Sequence, residues 1–139
     1  MTAPLRVLLV DDEPAVVETT EALLSDEFSV VTAGDGAAAL ARLNGAEFDV
    51  ICTDYNMPGM TGAELLRKAS QSAPHVGQVL VTGYREYSGR SDRAHGSYLL
   101  LLKPYDPQQL IDLLRRAGAS ARLKQQLRTI NPSLSRKPA

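Results

Sequence analysis

Short apolar runs alternate with longer amphipathic stretches along the whole chain. The runs cover residues 5–10, 28–33, 48–54, 78–82 and 98–102. Each has the length of a strand, and each is close to continuously apolar, as strands buried on both faces must be. Between them the apolar period lengthens to that of helices. Glu13-Pro14 opens a helix to about residue 24, with Val16, Val17, Ala22, Leu23 and Leu24 as its inward stripe and acids in its first turn. A short alanine-rich helix spans 35–43. Thr61-Gly62-Ala63-Glu64 has capping-box spacing for a third helix, with Leu65, Leu66 and Ala69 inward. Pro107 opens the last helix, in which Leu110, Ile111, Leu113, Leu114 and Ala117 face the core. Alternating β/α units of this kind predict one α/β domain built on a parallel, doubly wound sheet.

Two segments fit the pattern poorly. Residues 83–96 should hold a helix, yet offer only Tyr87 and Ala94 as inward positions, and Ser88, Gly89 and Ser91 lower its propensity. A short or frayed helix is expected there. After residue 120, Leu123, Leu127 and Ile130 recur at helical spacing, so the last helix is expected to continue until Asn131-Pro132 ends it. The expected organisation is a domain over 4–120, then a helix extension and tail over 121–139.

At 139 residues and 15.0 kDa the chain can bury one core without disulfides. The single Cys52 lies inside an apolar run and reads as a small core residue of a reducing compartment. There is no long uncharged apolar segment and no secretory pattern at the start, so a cytoplasmic protein with no membrane contact is expected. All 16 acidic residues lie at or before Asp112. After it come Arg115, Arg116, Arg122, Lys124, Arg128, Arg136 and Lys137 with no acid among them. This reads as a solvated helix face and tail, or as a contact for an acidic partner. With few aromatics and no nucleic-acid motif, binding to nucleic acid is not expected.

The chemistry gathers at the ends of the runs. In an open parallel sheet, ligands bind outside the carboxyl ends of the strands. Those ends here carry Asp11 and Asp12, Asp54, Thr82 and Lys103. Three carboxylates crowded on one rim disfavour each other's ionisation unless a cation offsets them. Magnesium suits such a set, taking one or two carboxylates with waters and phosphate oxygens. Lysine and hydroxyl would then face the remaining oxygens of a phosphoryl group. A carboxylate in the set can itself be the nucleophile. Taken singly, each residue has a plainer reading as a cap, a turn or a surface lysine; their joint position at strand ends is what argues for a site.

With these residues the chain resembles the receiver domain of bacterial two-component response regulators, the CheY-like family. The resemblance rests on Val10-Asp11-Asp12-Glu13, Asp54-Tyr55-Asn56-Met57-Pro58-Gly59-Met60-Thr61-Gly62, Val81-Thr82-Gly83 and Lys103-Pro104-Tyr105. It implies a flavodoxin-like strand order 2-1-3-4-5 and makes Asp54 the phosphoacceptor. Asp12 and Asp54 would hold magnesium directly, Asp11 through water, and Asn56 through its backbone carbonyl. Thr82 and Lys103 would bind the phosphoryl oxygens, and the Lys103-Pro104 bond would be cis. The implied donor is a sensor histidine kinase or a phosphotransfer protein, and the implied receiver of the signal is an output domain or partner protein. Such a domain is not an enzyme in the ordinary sense, only self-catalysing its phosphorylation and dephosphorylation.

The chain departs from that family at Leu100. Three residues before the lysine, similar proteins carry Tyr or Phe, and Tyr98 is in the wrong register to replace it, although strand alternation puts it on the same face. The expected consequence is a switch that orders residues 83–96 rather than turning a ring, with Asn56 and Tyr84 tuning hydrolysis. The exposed stripe of the extension raises the expectation of a homodimer through that helix. Two other functions compete. One is a pseudo-receiver that binds protein without being phosphorylated. The other is an aspartate-nucleophile phosphatase, which would need an acid–base Asp where Asn56 stands. His75 and His95 lie in polar loops without metal-ligand spacing.

Overall fold

The structure, a computed structural model, describes residues 3–83 and 98–130. The weak helix expected over 83–96, with Tyr84 and His95, therefore lies outside the described residues apart from Gly83, as does the tail beyond Ile130. Five parallel strands form one sheet: β1 (Arg6–Val10), β2 (Ser29–Ala33), β3 (Val50–Asp54), β4 (Gly77–Gly83) and β5 (Leu99–Lys103), in the order β2-β1-β3-β4-β5. Four helices are described: α1 (Pro14–Leu24), α2 (Gly36–Gly45), α3 (Gly62–Ser72) and α4 (Pro107–Ile130). The flavodoxin-like order expected from the sequence is the order observed.

Strand alternation divides the core in two. Leu8, Val10, Ile51 and Leu80 point to one face of the sheet and pack with Ala39 and Leu43 of α2 and Leu65, Leu66 and Ala69 of α3. Val7, Leu9, Val50, Cys52, Val79 and Val81 point to the other and pack with Leu24 of α1 and Leu110, Ile111, Leu114 and Ala117 of α4. The inward residues expected of α3 are all buried, and those of α4 are buried except Leu113, which is half-buried.

α1 differs from its expected stripe. Ala22 is exposed, Leu24 alone is buried, and Val17, seven residues before it, is half-buried. Val16 and Leu23, one residue back along the helix, are turned about 100° away from that line and are exposed. Nor do acids fall within its first turn. Glu13 sits at the N-cap without capping through its side chain, and Asp11 Oδ1, two residues earlier, accepts from Glu13 N at 3.0 Å.

The last helix is tied to the start of β3 by a contact the sequence does not suggest. Arg122 donates from Nη2 to Asp49 Oδ2 at 2.8 Å and from Nε to Oδ1 at 3.3 Å, and from Nη1 to the Ala3 carbonyl at 2.7 Å. Asp49 Oδ2 also accepts from Arg6 N at 2.8 Å. Arg122 is therefore a fork closing three chain segments, not part of a solvated face. Arg115 likewise pairs with Glu27. With Ala121 buried as well, the packed body runs to residue 122.

One glycine sets how α3 meets the sheet. Gly62 N donates to the Tyr55 carbonyl at 2.8 Å, and a Cβ at Gly62 would collide with the Asp54 carbonyl oxygen and lie 2.9 Å from Leu80 Cδ1. Backbone cannot yield cheaply, so Gly62→Ala is expected to cost about 1–3 kcal/mol in urea unfolding. Gly34, where an added methyl group would meet nothing within 4 Å, is the control: Gly34→Ala should be neutral or stabilising by up to about 1 kcal/mol.

Candidate functional site

Parallel register brings the rim residues level. Leu9 pairs with Cys52, so Asp11, two residues on from Leu9, stands beside Asp54, two on from Cys52, on the same pleat face. Leu101 and Lys103 continue that parity on β5, where Lys103 pairs with Gly83. The strand ends are held by main-chain bonds: Asp11 N donates to the Ala33 carbonyl at 3.2 Å and Tyr55 N to the Val81 carbonyl at 2.8 Å. The candidate residues therefore sit on a frame set by sheet hydrogen bonds rather than on an unsupported loop.

Each has a definite environment. Asp11, Asp12 and Asp54 each offer an oxygen, and the three oxygens lie within 4.8 Å of one another. Asp54 is buried, with only 9 % of its surface exposed. Its Oδ2 accepts from Asn56 N at 3.2 Å. Its Oδ1 forms an ion pair with Lys103 Nζ at 2.8 Å but accepts no aligned hydrogen bond, although it is shielded from solvent. Lys103 keeps about half its side chain in water, and the Lys103-Pro104 bond after it is cis. Thr82 is fully buried at the end of β4, one residue past the level of Asp54, and its hydroxyl makes a long 3.4 Å bond to the Gly83 carbonyl. Asn56 is exposed at the rim.

Electrostatics follow from this crowding. The Asp11 carboxyl is raised above its ordinary value, first by burial and then by the charge of Asp54, against a lowering bond from the Glu13 amide and the charge of Lys103. Beneath the rim the Cys52 thiol is pushed up to about 12, by burial first and by Asp54 and Asp11 after it. It stays neutral, as a core residue should.

The donor set fits magnesium. All the donors are hard oxygens, and the buried Oδ1 of Asp54 is paired with the Lys103 ammonium without an aligned hydrogen bond. Asp11, Asp12 and Asp54 are the residues that could hold it, with Asn56 next to them through its amide bond to Asp54 Oδ2.

Two supports for the site escaped the sequence reading. Thr53, fully buried, donates from Oγ1 to the Asp54 carbonyl at 2.9 Å. Gly62 lets α3 close against that same carbonyl. The Thr61 cap is as expected, Glu64 N donating to Thr61 Oγ1 at 3.2 Å. Leu100 and Tyr98 do share a face, both half-buried against the α2–α3 side of the core, and Leu100 pairs with Leu80 of β4. No aromatic ring stands at position 100.

The profile of the response regulator receiver domain matches residues 7–115. The chain belongs to this family. Among its relatives, the hydrogenase transcriptional regulatory protein HoxA of Cupriavidus necator is 34 % identical over 139 aligned residues, covering 92 % of this chain and 28 % of HoxA. The chemotaxis protein CheY of Pseudomonas aeruginosa is 32 % identical over 117 residues, covering 81 % of this chain and 94 % of CheY. The response regulator TrrA of Thermotoga maritima, solved in complex with Mg(2+)-BeF, superposes with a TM-score of 0.72 at 25 % identity over 81 % of this chain and 97 % of that one. The chain spans about a quarter to about a half of the length of most of the curated relatives it matches. No helix among the described residues is long and apolar enough to cross a membrane.

The raised Asp11 carboxyl gives a pH dependence. A carboxyl whose native pKa lies above its unfolded one is a cost to the metal-free fold above that native value, and the cost disappears as pH falls through it. Asp11→Asn keeps an oxygen for the Glu13 amide and removes the charge. The metal-free variant is expected to melt above the native protein at neutral pH, the difference shrinking as pH falls into the carboxylate range. Thermal melts in metal-stripped buffer across that range check it; an unchanged or lower melting temperature at neutral pH would contradict it.

Proposed function

We propose that this chain is the phosphoryl-accepting receiver of a two-component phosphorelay, with Asp54 as the acceptor. The observation that carries the reading is the Asp54 carboxylate itself. It is buried, paired with Lys103 at 2.8 Å, and has two further carboxylates within 4.8 Å. That TrrA, a structural relative, was solved in complex with Mg(2+)-BeF supports the reading. The receiver proper is 4–120, with 121–139 a helix extension and tail. The setting is cytoplasmic. The donor is the phosphohistidine of a sensor histidine kinase or a phosphotransfer protein.

In the reaction an Asp54 carboxylate oxygen attacks phosphorus. The O–P bond forms as the P–N bond to imidazole breaks, and the imidazole leaves with the electron pair and is protonated. Lys103 exchanges its pairing with the carboxylate for one with a phosphoryl oxygen, so that one charge partner serves before and after transfer. Thr82, whose present hydroxyl bond is long, donates to another phosphoryl oxygen. Bound magnesium, held by Asp11, Asp12, Asp54 and the Asn56 carbonyl, would neutralise charge between the carboxylates and the phosphoryl group. Hydrolysis resets the site: water attacks phosphorus and the Asp54 carboxylate departs, releasing inorganic phosphate. Differential contacts of Thr82 and Lys103 with the phosphoryl group bias the conformational equilibrium that carries the signal. Because Leu100 has no ring to turn, that signal leaves by another route than an aromatic rotamer.

Intact-mass analysis after incubation with acetyl phosphate and magnesium tests the reading. A single phosphoryl adduct is expected, absent without magnesium and absent from Asp54→Asn. Lys103→Ala should slow its formation by roughly 10²-fold, the scale of losing one preorganised charge donor. An adduct that survives Asp54→Asn, or no adduct on the native chain, overturns it.

A further inference from the structure

The basic end of the last helix is not used by the phosphoryl site. Of its five basic side chains after Asp112, Arg115 pairs with Glu27 and Arg122 with Asp49. Arg116, Lys124 and Arg128 have no carboxylate partner among the described residues. Arg116 and Lys124 stand eight residues apart with Ser120 midway, so they share one stripe of the helix and are about 12 Å apart along its axis.

That stripe forms one wall of a groove of about 490 Å³. The opposite wall is the end of α3 and the turn after it, with Ser70 and His75, and the floor is made by the first residues of β4 and β5. The far wall is fixed in place: Gln78 Nε2 donates to the Leu66 carbonyl at 2.8 Å and to Ser70 Oγ at 2.9 Å. Gly77 lets the helix wall pack closely on the floor, since a Cβ there would collide with the Ala117 carbonyl. Among the described residues no carboxylate lines the groove, and no Phe, Tyr or Trp does. His75 is held below its ordinary value, first by burial and then by the charge of Arg128, with the charges of Glu47 and Asp49 acting the other way.

From this we infer that the groove binds a small elongated anion carrying two phosphates, an aliphatic or sugar bisphosphate, with one phosphate toward Arg116 and the other toward Lys124. The volume lies in the range of small-molecule sites. Cations at the two ends with hydroxyls between them match two separated anionic groups better than one. The lack of an aromatic platform among the described lining residues disfavours a nucleobase, which would need a ring to stack on. The site lies at the amino ends of the strands, the far end of the sheet from Asp54, and it stands or falls independently of the phosphoacceptor reading.

Amide NMR of the full chain in magnesium-free buffer, titrated with fructose bisphosphate, tests it. Saturable shifts are expected at Gly77, Leu99 and Ser120. Affinity should be at least roughly tenfold above that for inorganic phosphate, and fall at least roughly tenfold in Arg116→Ala and in Lys124→Glu. Both positions are exposed, so the folded spectrum should be kept. Arg67→Ala, an exposed basic position outside the groove, should bind as the native chain does. The inference is overturned by shifts that fail to saturate in the millimolar range, by shifts spread over all basic positions alike, by inorganic phosphate binding as well as the bisphosphate, or by full binding in the two variants.

Discussion

Everything at the rim follows from placing three carboxylates at the ends of two adjacent parallel strands. The register of β1 against β3 puts Asp11 beside Asp54, and Asp12 follows at once, so their oxygens fall within 4.8 Å. Burial, with the charge of Asp54 beside it, raises the Asp11 carboxyl, and Asp54 itself is largely removed from water. Lys103, delivered by β5 across β4, is the protein's own counter-charge. It offsets one carboxylate and leaves the others unbalanced. A cation is the species such an arrangement favours, and that is why a structural liability reads as a candidate functional site.

The scaffold is arranged to hold that liability still. Thr53 donates to the Asp54 carbonyl from the core, Gly62 lets the start of α3 close against the same oxygen, and the Asn56 amide holds Asp54 Oδ2. The two halves of the core grip β3 from both faces, since every residue from Val50 to Asp54 is buried. At the far end of the same strand, Asp49 is locked by Arg122 and the Arg6 amide. The central strand is thereby fixed at both ends, which suits a site whose geometry has to be held.

Most of this was legible in the chain. Continuous apolar runs ending in Asp, Thr or Lys marked both the parallel sheet and its functional rim, because burial on two faces leaves chemistry only at the ends. The Thr61 cap and the inward residues of α3 were equally plain, as was the run of the last helix to Ile130. Other features were not, for identifiable reasons. In α1 two adjacent stripes, 16/23 and 17/24, are both apolar, so hydropathy could not say which meets the sheet. The Arg122–Asp49 fork joins residues far apart in sequence, and no local pattern announces such a partner. The demand for glycine at position 62 arises only when α3 is docked on the Asp54 carbonyl. The Arg116–Lys124 groove likewise exists only once α4 lies against α3 and the strand starts.

The central claim is that these carboxylates, Lys103 and Thr82 form one magnesium-dependent phosphoryl site, and fluorine NMR of beryllofluoride tests it most directly. With magnesium present, resonances of protein-bound fluorine distinct from the free species are required, disappearing when magnesium is withdrawn. A folded native chain that gives no bound fluorine signal at saturating magnesium and beryllofluoride would contradict the account.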